Sequence, residues 1–212
     1  MATPQTDYPS ACNAAEILIL NDTILGDVWH GIAFALLEAD VHLRCNPESL
    51  ARLPNHPGIS SHPHFSTHIH PADSKADYST EHLSNIISVT TASSVDEAIK
   101  FINSHGSHHT DVIVTESSEN ASKFMKGVDS AGAFWNASSR FADGFRYGFG
   151  TEVGISTGKT HARGPVGLEG LVIYKYLLRS KAKGGHIVGE FGSGADKKRF
   201  KHGQLNASGL PF

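Results

Sequence analysis

Short apolar runs and amphipathic segments alternate along most of the chain. The run Glu16–Leu20 (EILIL) is typical of a short buried strand. In Ile24–Ala39 the apolar residues recur at steps of three and four, which predicts an amphipathic helix that Asp22 or Thr23 can cap. By the same criteria, further strands are predicted at Val41–Arg44, Ile86–Val89, Val112–Thr115 and Ala131–Trp135, and further helices at Val95–Ser104, Glu119–Gly127 and Pro165–Leu178.

The helix predicted at Val95–Ser104 carries signals at both ends. Ser94 is a natural N-cap, Glu97 occupies the third helical position, and Gly106 follows the last turn. Strands that alternate with such helices favour an α/β fold with a mostly parallel sheet flanked by helices. We therefore predict one α/β domain over residues 7–178.

Two stretches depart from this alternation. Residues 54–77 are rich in Pro, His and Ser and show no clear period, which predicts a surface loop inserted into the domain. From residue 179 onward the chain is rich in Gly and Lys and can add little to a core. Residues 179–212 are therefore predicted to form a C-terminal arm or tail.

The composition limits the possible partners. The 212 residues carry 18 Lys and Arg against 21 Asp and Glu, a net charge of -3, which argues against a broad nucleic-acid-binding surface. Every apolar run in the sequence, Ile17–Leu20 among them, is far too short to span a bilayer, and the first ten residues lack the pattern of a signal peptide. Because two cysteines do not make a disulfide framework, we expect a reducing, cytoplasmic location and no membrane partner.

Cys12 is the first candidate for covalent chemistry. It lies in DYPSACNAAE, just before the first predicted strand, among small and polar residues that suit an exposed thiol on a turn. The alternative is a small core residue, which is what most free cysteines are. Cys45, beside Arg44, is the weaker candidate.

A histidine cluster in residues 54–77 is the second candidate site. His62, His64, His68 and His70 are spaced by two and four residues, which can place imidazoles around a metal ion. The Pro- and Ser-rich surroundings and the lack of a nearby cysteine favour a solvated loop instead. We therefore predict no metal site, and a metal-binding protein is retained only as the weakest hypothesis.

The third candidate is the glycine-rich stretch 141–165. Its basic side chains suit a phosphate or carboxylate ligand, and its glycines allow close approach of the backbone. A plain linker between a strand and a helix explains the same composition equally well. The basic side chains in question are Arg146, Lys159, His161 and Arg163.

Four segments together resemble one enzyme family. DYPSACNAAE (7–16), SVDEAIKFINSHGSHHTDVIVTE (94–116), FWNASSRFADG (134–144) and GFGTEVGISTGKTHARGPVGLEGLVIYK (148–175) are similar to glutamate-5-semialdehyde dehydrogenase, also called gamma-glutamyl phosphate reductase. The four segments occur in the family's order, and HGSHHTD resembles a fungal member. The family belongs to the aldehyde dehydrogenase superfamily, so the resemblance implies an aldehyde dehydrogenase-like catalytic domain.

The resemblance implies a reaction of proline biosynthesis, in which NADPH reduces L-glutamyl 5-phosphate to glutamate 5-semialdehyde. Cys12 matches the family's nucleophile, which forms a thioester. Glu81 matches the glutamate that binds the nicotinamide ribose, and Asn136 matches a strand-end asparagine with a structural role. Arg163 and His161 are the residues that we expect to bind the substrate's phosphate or carboxylate.

Members of the family are much longer than this chain. The family's amino-terminal half, which contains most of the NADP-binding domain, has no counterpart here, so we expect an incomplete chain. An incomplete chain has two interpretations: a catalytic part that associates with itself or with a full-length subunit, or a truncated paralogue that acts only as an interaction module. A cofactor site built from one glutamate is the weakest element of the first interpretation.

Overall fold

Four parallel strands form the main sheet of the chain. The computed structural model describes residues 8–73, 76–160, 167–181 and 183–201. The strands are β1 (Ile17–Asn21), β2 (His42–Cys45), β3 (Ile69–Pro71) and β4 (Ile86–Ala92), and their spatial order is β1-β4-β2-β3. The central strand β4 pairs with β1 on one side and with β2 on the other. The predicted α/β fold with a parallel sheet is confirmed.

Helices flank this sheet and cover its apolar side chains. The first long helix begins at Trp29, later than the pattern predicts, because residues 22–24 form a 3-10 turn and Gly26 interrupts the apolar stripe. The helices are α1 (Trp29–Glu38), α2 (Pro47–Leu50), α3 (Pro57–Ser60), α4 (Phe65–His68), α5 (Val95–His105) and α6 (Ser118–Gly127). Within the described ranges, every helix is too short or too polar to cross a lipid bilayer.

The main core lies between α1 and the sheet. Trp29 is fully buried and donates from its ring nitrogen to the carbonyl oxygen of Ser49, at 3.0 Å, so its one polar atom is satisfied. Leu37, Leu43 and Val89 pack in the same cluster and are likewise fully buried. Ala15 and Leu18 pack against the same cluster, so this core anchors β1 and the residue stretch just before it.

A second, smaller sheet consists of β5 (Thr110–Ile113) and β6 (Gly132–Trp135), which run parallel. Its core joins α5 to α6 through Ile102 and Phe124, and Ile19 of β1 packs against the same cluster. The predicted cap of α5 is confirmed, since the hydroxyl of Ser94 accepts from the backbone N–H of Glu97.

The expectation of a surface loop at 54–77 needs correction. Its described residues include α3, α4 and the edge strand β3, and Ile59 and His68 are buried. Helical turns of four residues are shorter than the window over which a hydrophobic period can be recognised, so the hydrophobic pattern of the sequence does not predict them.

The helix predicted at Pro165–Leu178 is also wrong over its described part. From residue 167 onward, the chain forms only a 3-10 turn at Leu168–Leu171 and then irregular backbone. The segment contains Gly167 and Gly170, and its apolar side chains from Leu171 to Leu178 are exposed, so a helix here would have no packing to offset its cost. The chain divides into two compact units at this point, 1–172 and 173–212, and the predicted limits at 178 and 179 stay predictions.

Candidate active site

Cys12 lies on a turn that leads directly into β1. The turn is closed by two backbone hydrogen bonds, from Ala11 to the carbonyl of Tyr8 at 3.1 Å and from Ala14 to that of Ala11 at 2.9 Å. The Cys12 side chain is exposed, whereas Cys45 is 1% exposed in the main core. Burial raises the pKa of the Cys45 thiol to about 12, so Cys12 is the thiol that is available for chemistry.

A 3-10 turn at Ser139–Phe141 holds the Cys12 turn in place. Asn13 is the centre of this contact. The hydroxyl of Ser139 donates to the Asn13 carbonyl at 2.7 Å, and the Arg140 guanidinium donates to the Asn13 side-chain oxygen at 2.7 Å. Arg140 also donates to the carbonyl of Tyr8, at 2.7 Å. Two segments that lie more than 120 residues apart in sequence therefore fold into one site.

Burial and nearby carboxylates raise the pKa of Cys12 above its ordinary value. Partial burial is the largest cause, followed by the negative charge of Glu152, while Glu81 adds a smaller effect in the same direction. The backbone N–H of Cys12 and the charge of Arg140 oppose these effects. In the free protein, the thiol form is therefore favoured.

The segment that precedes β4 places Glu81 close to Cys12. The hydroxyl of Ser10 donates to the carbonyl of Leu83 at 2.9 Å, and the backbone N–H of His82 donates to the carboxylate of Glu16 at 3.2 Å. Leu83 adopts a φ of 54°, which marks a sharp turn in this segment. These contacts bring an exposed carboxylate close enough to Cys12 to affect its pKa.

Glu152 and His109 belong to the site although the sequence analysis did not single them out. Glu152 accepts a hydrogen bond from the backbone N–H of Gly144. Burial lowers the pKa of His109, and the charges of Glu152 and Glu81 partly oppose that change. No periodic pattern connects these residues with Cys12. Arg140, by contrast, lies inside a motif that carried the family resemblance, so its role was recoverable from the sequence.

The expected substrate-binding residues, Arg163 and His161, lie outside the described residues. Asn136 is described, and it has a φ of 51°. Its side chain accepts from the backbone N–H of Thr115 and donates to the carbonyl of the same residue, each at 2.9 Å. Asn136 thus joins the ends of β5 and β6, in agreement with a structural role.

An open groove of about 710 Å³ lies at the carboxyl ends of β1 and β4, and Arg52, Thr91 and Glu97 are among its lining residues. None of the residues around Cys12 lines it. Because Cys12 precedes β1, it lies at the opposite end of the strand from this groove. The groove is therefore a separate feature from the candidate active site.

The chain has close relatives among known proteins. The probable gamma-glutamyl phosphate reductase of Schizosaccharomyces pombe is 47% identical over 206 residues, which is 97% of this chain. The chain is homologous to the gamma-glutamyl phosphate reductases. The gamma-glutamyl phosphate reductase of Saccharomyces cerevisiae is 42% identical over 206 residues. No family model matches the chain.

The fold agrees with that relationship. The crystal structure of gamma-glutamyl phosphate reductase from Thermotoga maritima superposes with a TM-score of 0.72 at 36% identity, and covers 85% of this chain and 40% of that protein. The chain spans 44% of the length of each of the two yeast proteins. It thus corresponds to less than half of a gamma-glutamyl phosphate reductase.

Proposed function

We propose that this chain supplies the catalytic cysteine of a gamma-glutamyl phosphate reductase, which reduces L-glutamyl 5-phosphate to glutamate 5-semialdehyde in proline biosynthesis. The observation that carries the proposal is Cys12 itself, an exposed thiol on a turn held by Ser139 and Arg140. Both segments of this contact belong to the motifs that resemble the family, and the 47% identity to the fission yeast protein supports the same assignment.

In the first step, the Cys12 thiolate attacks the acyl carbon of the substrate. A sulfur–carbon bond forms, the bond from carbon to the phosphate oxygen breaks, and phosphate leaves with that electron pair, so that a thioester remains on Cys12. Arg140 favours the thiolate by its charge. The backbone N–H of Cys12, which also favours the thiolate, is the donor that we propose for the oxyanion that forms at the acyl carbon.

Glu81 is the residue of this chain that we propose to bind the reductant. An exposed carboxylate beside Cys12 can accept hydrogen bonds from ribose hydroxyl groups, so the described residue fits that part of NADPH. NADPH, when bound, supplies the hydride that reduces the thioester to the aldehyde level. Cys12 is then released as a thiolate when the carbon–sulfur bond breaks.

Arg163 and His161 complete the proposal as ligands of the substrate's phosphate or carboxylate. Association with a second copy or with a full-length subunit, and a cytoplasmic location, are further parts of the same proposal. They rest on the family relationship and on the sequence, and the activity of the chain by itself is the point to be tested.

The test is the NADP- and phosphate-dependent oxidation of glutamate 5-semialdehyde by the purified chain, alone and mixed with the amino-terminal half of the fission yeast relative. We expect Cys12→Ala to lower the rate by more than about 1,000-fold, because the covalent step is lost. Cys45→Ala is the matched control and should keep most of the activity of the folded protein.

Two outcomes contradict the proposal. Activity that survives in Cys12→Ala would remove Cys12 as the nucleophile. A folded wild-type chain that is inactive both alone and in the mixture would favour the alternative, a non-catalytic paralogue that acts as an interaction module.

A further inference from the structure

A row of five histidine rings lies beside the carboxyl end of α1, away from the residues that surround Cys12. Neighbouring rings have centroids 5.5, 4.2, 3.9 and 6.2 Å apart, and the two closest rings are nearly parallel. Two acidic residues, Glu38 and Asp40, flank the row. In order along the row, the rings belong to His62, His64, His68, His42 and His70.

Three side chains in this row bring ligand atoms together. A ring nitrogen of His64, a ring nitrogen of His68 and a carboxylate oxygen of Asp40 all lie within 4.8 Å of one another. His68 is buried, His64 is half-buried and Asp40 is exposed, so the group is supported by protein on one side and open to solvent on the other. An ion can therefore reach it from solution, which any new metal site requires.

The backbone explains why these three residues meet. His64 and His68 bracket one helical turn, in which the N–H of His68 donates to the carbonyl of His64 at 2.9 Å, so their rings share a face. Asp40 follows α1 with a φ of 58°, which turns the chain sharply after the helix. The Nε2 atom of His68 and Oδ1 of Asp40 are already 2.8 Å apart.

The surrounding hydrogen bonds favour His68 as a ligand through Nε2. Its Nδ1 lies 2.8 Å from the hydroxyl oxygen of Thr67, which in turn donates to the carbonyl of His64. When Nδ1–H donates to Thr67, metal binding has only to replace the Nε2 proton that the Asp40 carboxylate accepts, and Nε2 then becomes the ligand atom, as is usual for histidine ligands. The hydrogen bond also fixes the orientation of the ring.

The two outer histidines have other partners. His62 places Nε2 2.8 Å from the carboxylate of Glu38, and its Nδ1 accepts from the backbone N–H of His64. His70 places Nε2 2.9 Å from the carbonyl of Thr67. The candidate ligand set therefore differs from the four histidines that sequence spacing alone suggests. It includes Asp40 and leaves out His62 and His70.

We propose that Asp40, His64 and His68 bind one Zn²⁺ ion, with water completing the coordination. Two imidazoles and one carboxylate are a usual set of protein ligands for zinc with an open position. Donors at about 2.0–2.1 Å from a tetrahedral zinc ion lie about 3.3 Å apart, so Asp40 and His68 need to separate by only about 0.5 Å. The bound ion would tie the end of α1 to α4 and the edge strand β3, independently of the reaction at Cys12.

The test is a calorimetric titration of the chelator-treated chain with zinc chloride, after Cys12 has been alkylated so that its thiol cannot bind the ion. We expect one ion per chain, weaker binding at pH 6 than at pH 7.5 because protons compete for the imidazoles, and no binding of Mg²⁺. Asp40→Asn and His64→Gln should each weaken binding by more than about tenfold. His56→Gln, at an exposed histidine in the same segment, should not change it.

Asn tolerates the backbone angle of Asp40, so Asp40→Asn is expected to fold. A second measurement uses the wild-type chain and does not depend on any variant. In ¹H–¹⁵N spectra of the imidazole nitrogens, Zn²⁺ should shift the signals of His64 and His68 but not those of His30 or His56. No binding below about 1 mM, unchanged affinity in both variants, or shifts confined to other histidines would each overturn the proposal.

Discussion

At the scale of single residues, Cys12 is a thiol whose neighbours act in opposite directions. Glu152 and Glu81 disfavour the thiolate, while Arg140 and the residue's own backbone N–H favour it. Arg140 is also a structural link, since it donates to both Tyr8 and Asn13. The carboxylates are therefore the better targets for changing the reactivity of Cys12 without changing the shape of its turn.

Replacing Glu152 with Gln should speed the alkylation of Cys12. The reaction rate follows the thiolate fraction, and removal of a negative neighbour lowers the pKa of Cys12, so the rate at pH 7.5 should rise by about three- to tenfold. Glu81→Gln should act in the same direction but less, because Glu81 contributes less to the raised pKa. The measurement is the rate of iodoacetamide labelling, followed by mass spectrometry across a pH series.

Glu119→Gln on α6 is the control and should leave the rate unchanged. Cys45 provides an internal standard, because its burial and its pKa of about 12 should keep it unlabelled in the folded protein. Equal rates in Glu152→Gln and the wild-type chain would show that the carboxylate does not act on Cys12.

At the scale of elements, α5 shows how a local signal specifies a helix start. Ser94 has extended backbone angles and its hydroxyl accepts from the N–H of Glu97, while the Glu97 carboxylate accepts from the N–H of Ser93 at 2.8 Å. The N–H of Glu97 in the first turn and the N–H of Ser93, just before the helix, are thereby satisfied by side chains. The same helix supplies Ile102 to the smaller core.

Ser94→Ala should lower the free energy of unfolding by about 1 kcal/mol, because one N–H of the first turn loses its partner. Urea denaturation followed by circular dichroism measures the loss. Ser104→Ala, at an exposed position near the other end of α5, should change stability by less than about 0.5 kcal/mol. A loss of equal size in the two variants would mean that the cap is not the cause.

The sequence was informative wherever an element is long enough to show a period or carries a cap. The elements α5, α6, β1 and β4 lie within a few residues of their predicted limits. The short elements α3, α4 and β3 were missed because each is at most one turn or three residues long. The helix expected at 165–178 is wrong over its described part for another reason: it was predicted from apolar residues and a Pro at its start, and the two glycines, Gly167 and Gly170, disfavour a helix there.

The residues of the candidate site also fall into two groups, those that the sequence predicts and those that only the fold brings together. Cys12 and Glu81 were reached through motifs, and their catalytic roles stay proposals. Glu152 acts on Cys12 although the two residues lie 140 positions apart in the sequence. His109, just before β5, likewise lies close to Glu152 in the glycine-rich segment. Such pairings depend on the tertiary fold and leave no trace in local periodicity.

At the scale of the whole molecule, the two compact units differ in how well they cover their apolar side chains. The first unit has two cores, one around Trp29 and one around Phe124. In the second unit, Ile173, Tyr174 and Tyr176 are each at least 92% exposed. Contiguous exposed apolar groups of this kind usually mark a surface that another chain covers.

The purified chain should therefore self-associate through residues 173–178. Sedimentation velocity over a concentration series should show species larger than a monomer, and Ile173→Ser combined with Tyr176→Ser should shift the distribution toward monomer. Val188→Ser, at another exposed apolar position in the second unit, is the control. A wild-type chain that stays monomeric at high concentration would contradict this expectation.

The position of β4 has a consequence for the way the chain is made. A ribosome releases β1 and β2 first, yet the strand that lies between them in the sheet ends only at Ala92. Among the described strands, β1 has no other partner than β4. The ladder between β1 and β4 can therefore form only after residue 92 has left the exit tunnel, and the core that buries Leu20 also needs Ile87 and Val89 of β4. The strands β2 and β3 can pair before β4 emerges, but a nascent chain stalled before Ile86 should leave β1 exposed to chaperones, and the four-stranded sheet should form only once β4 is available.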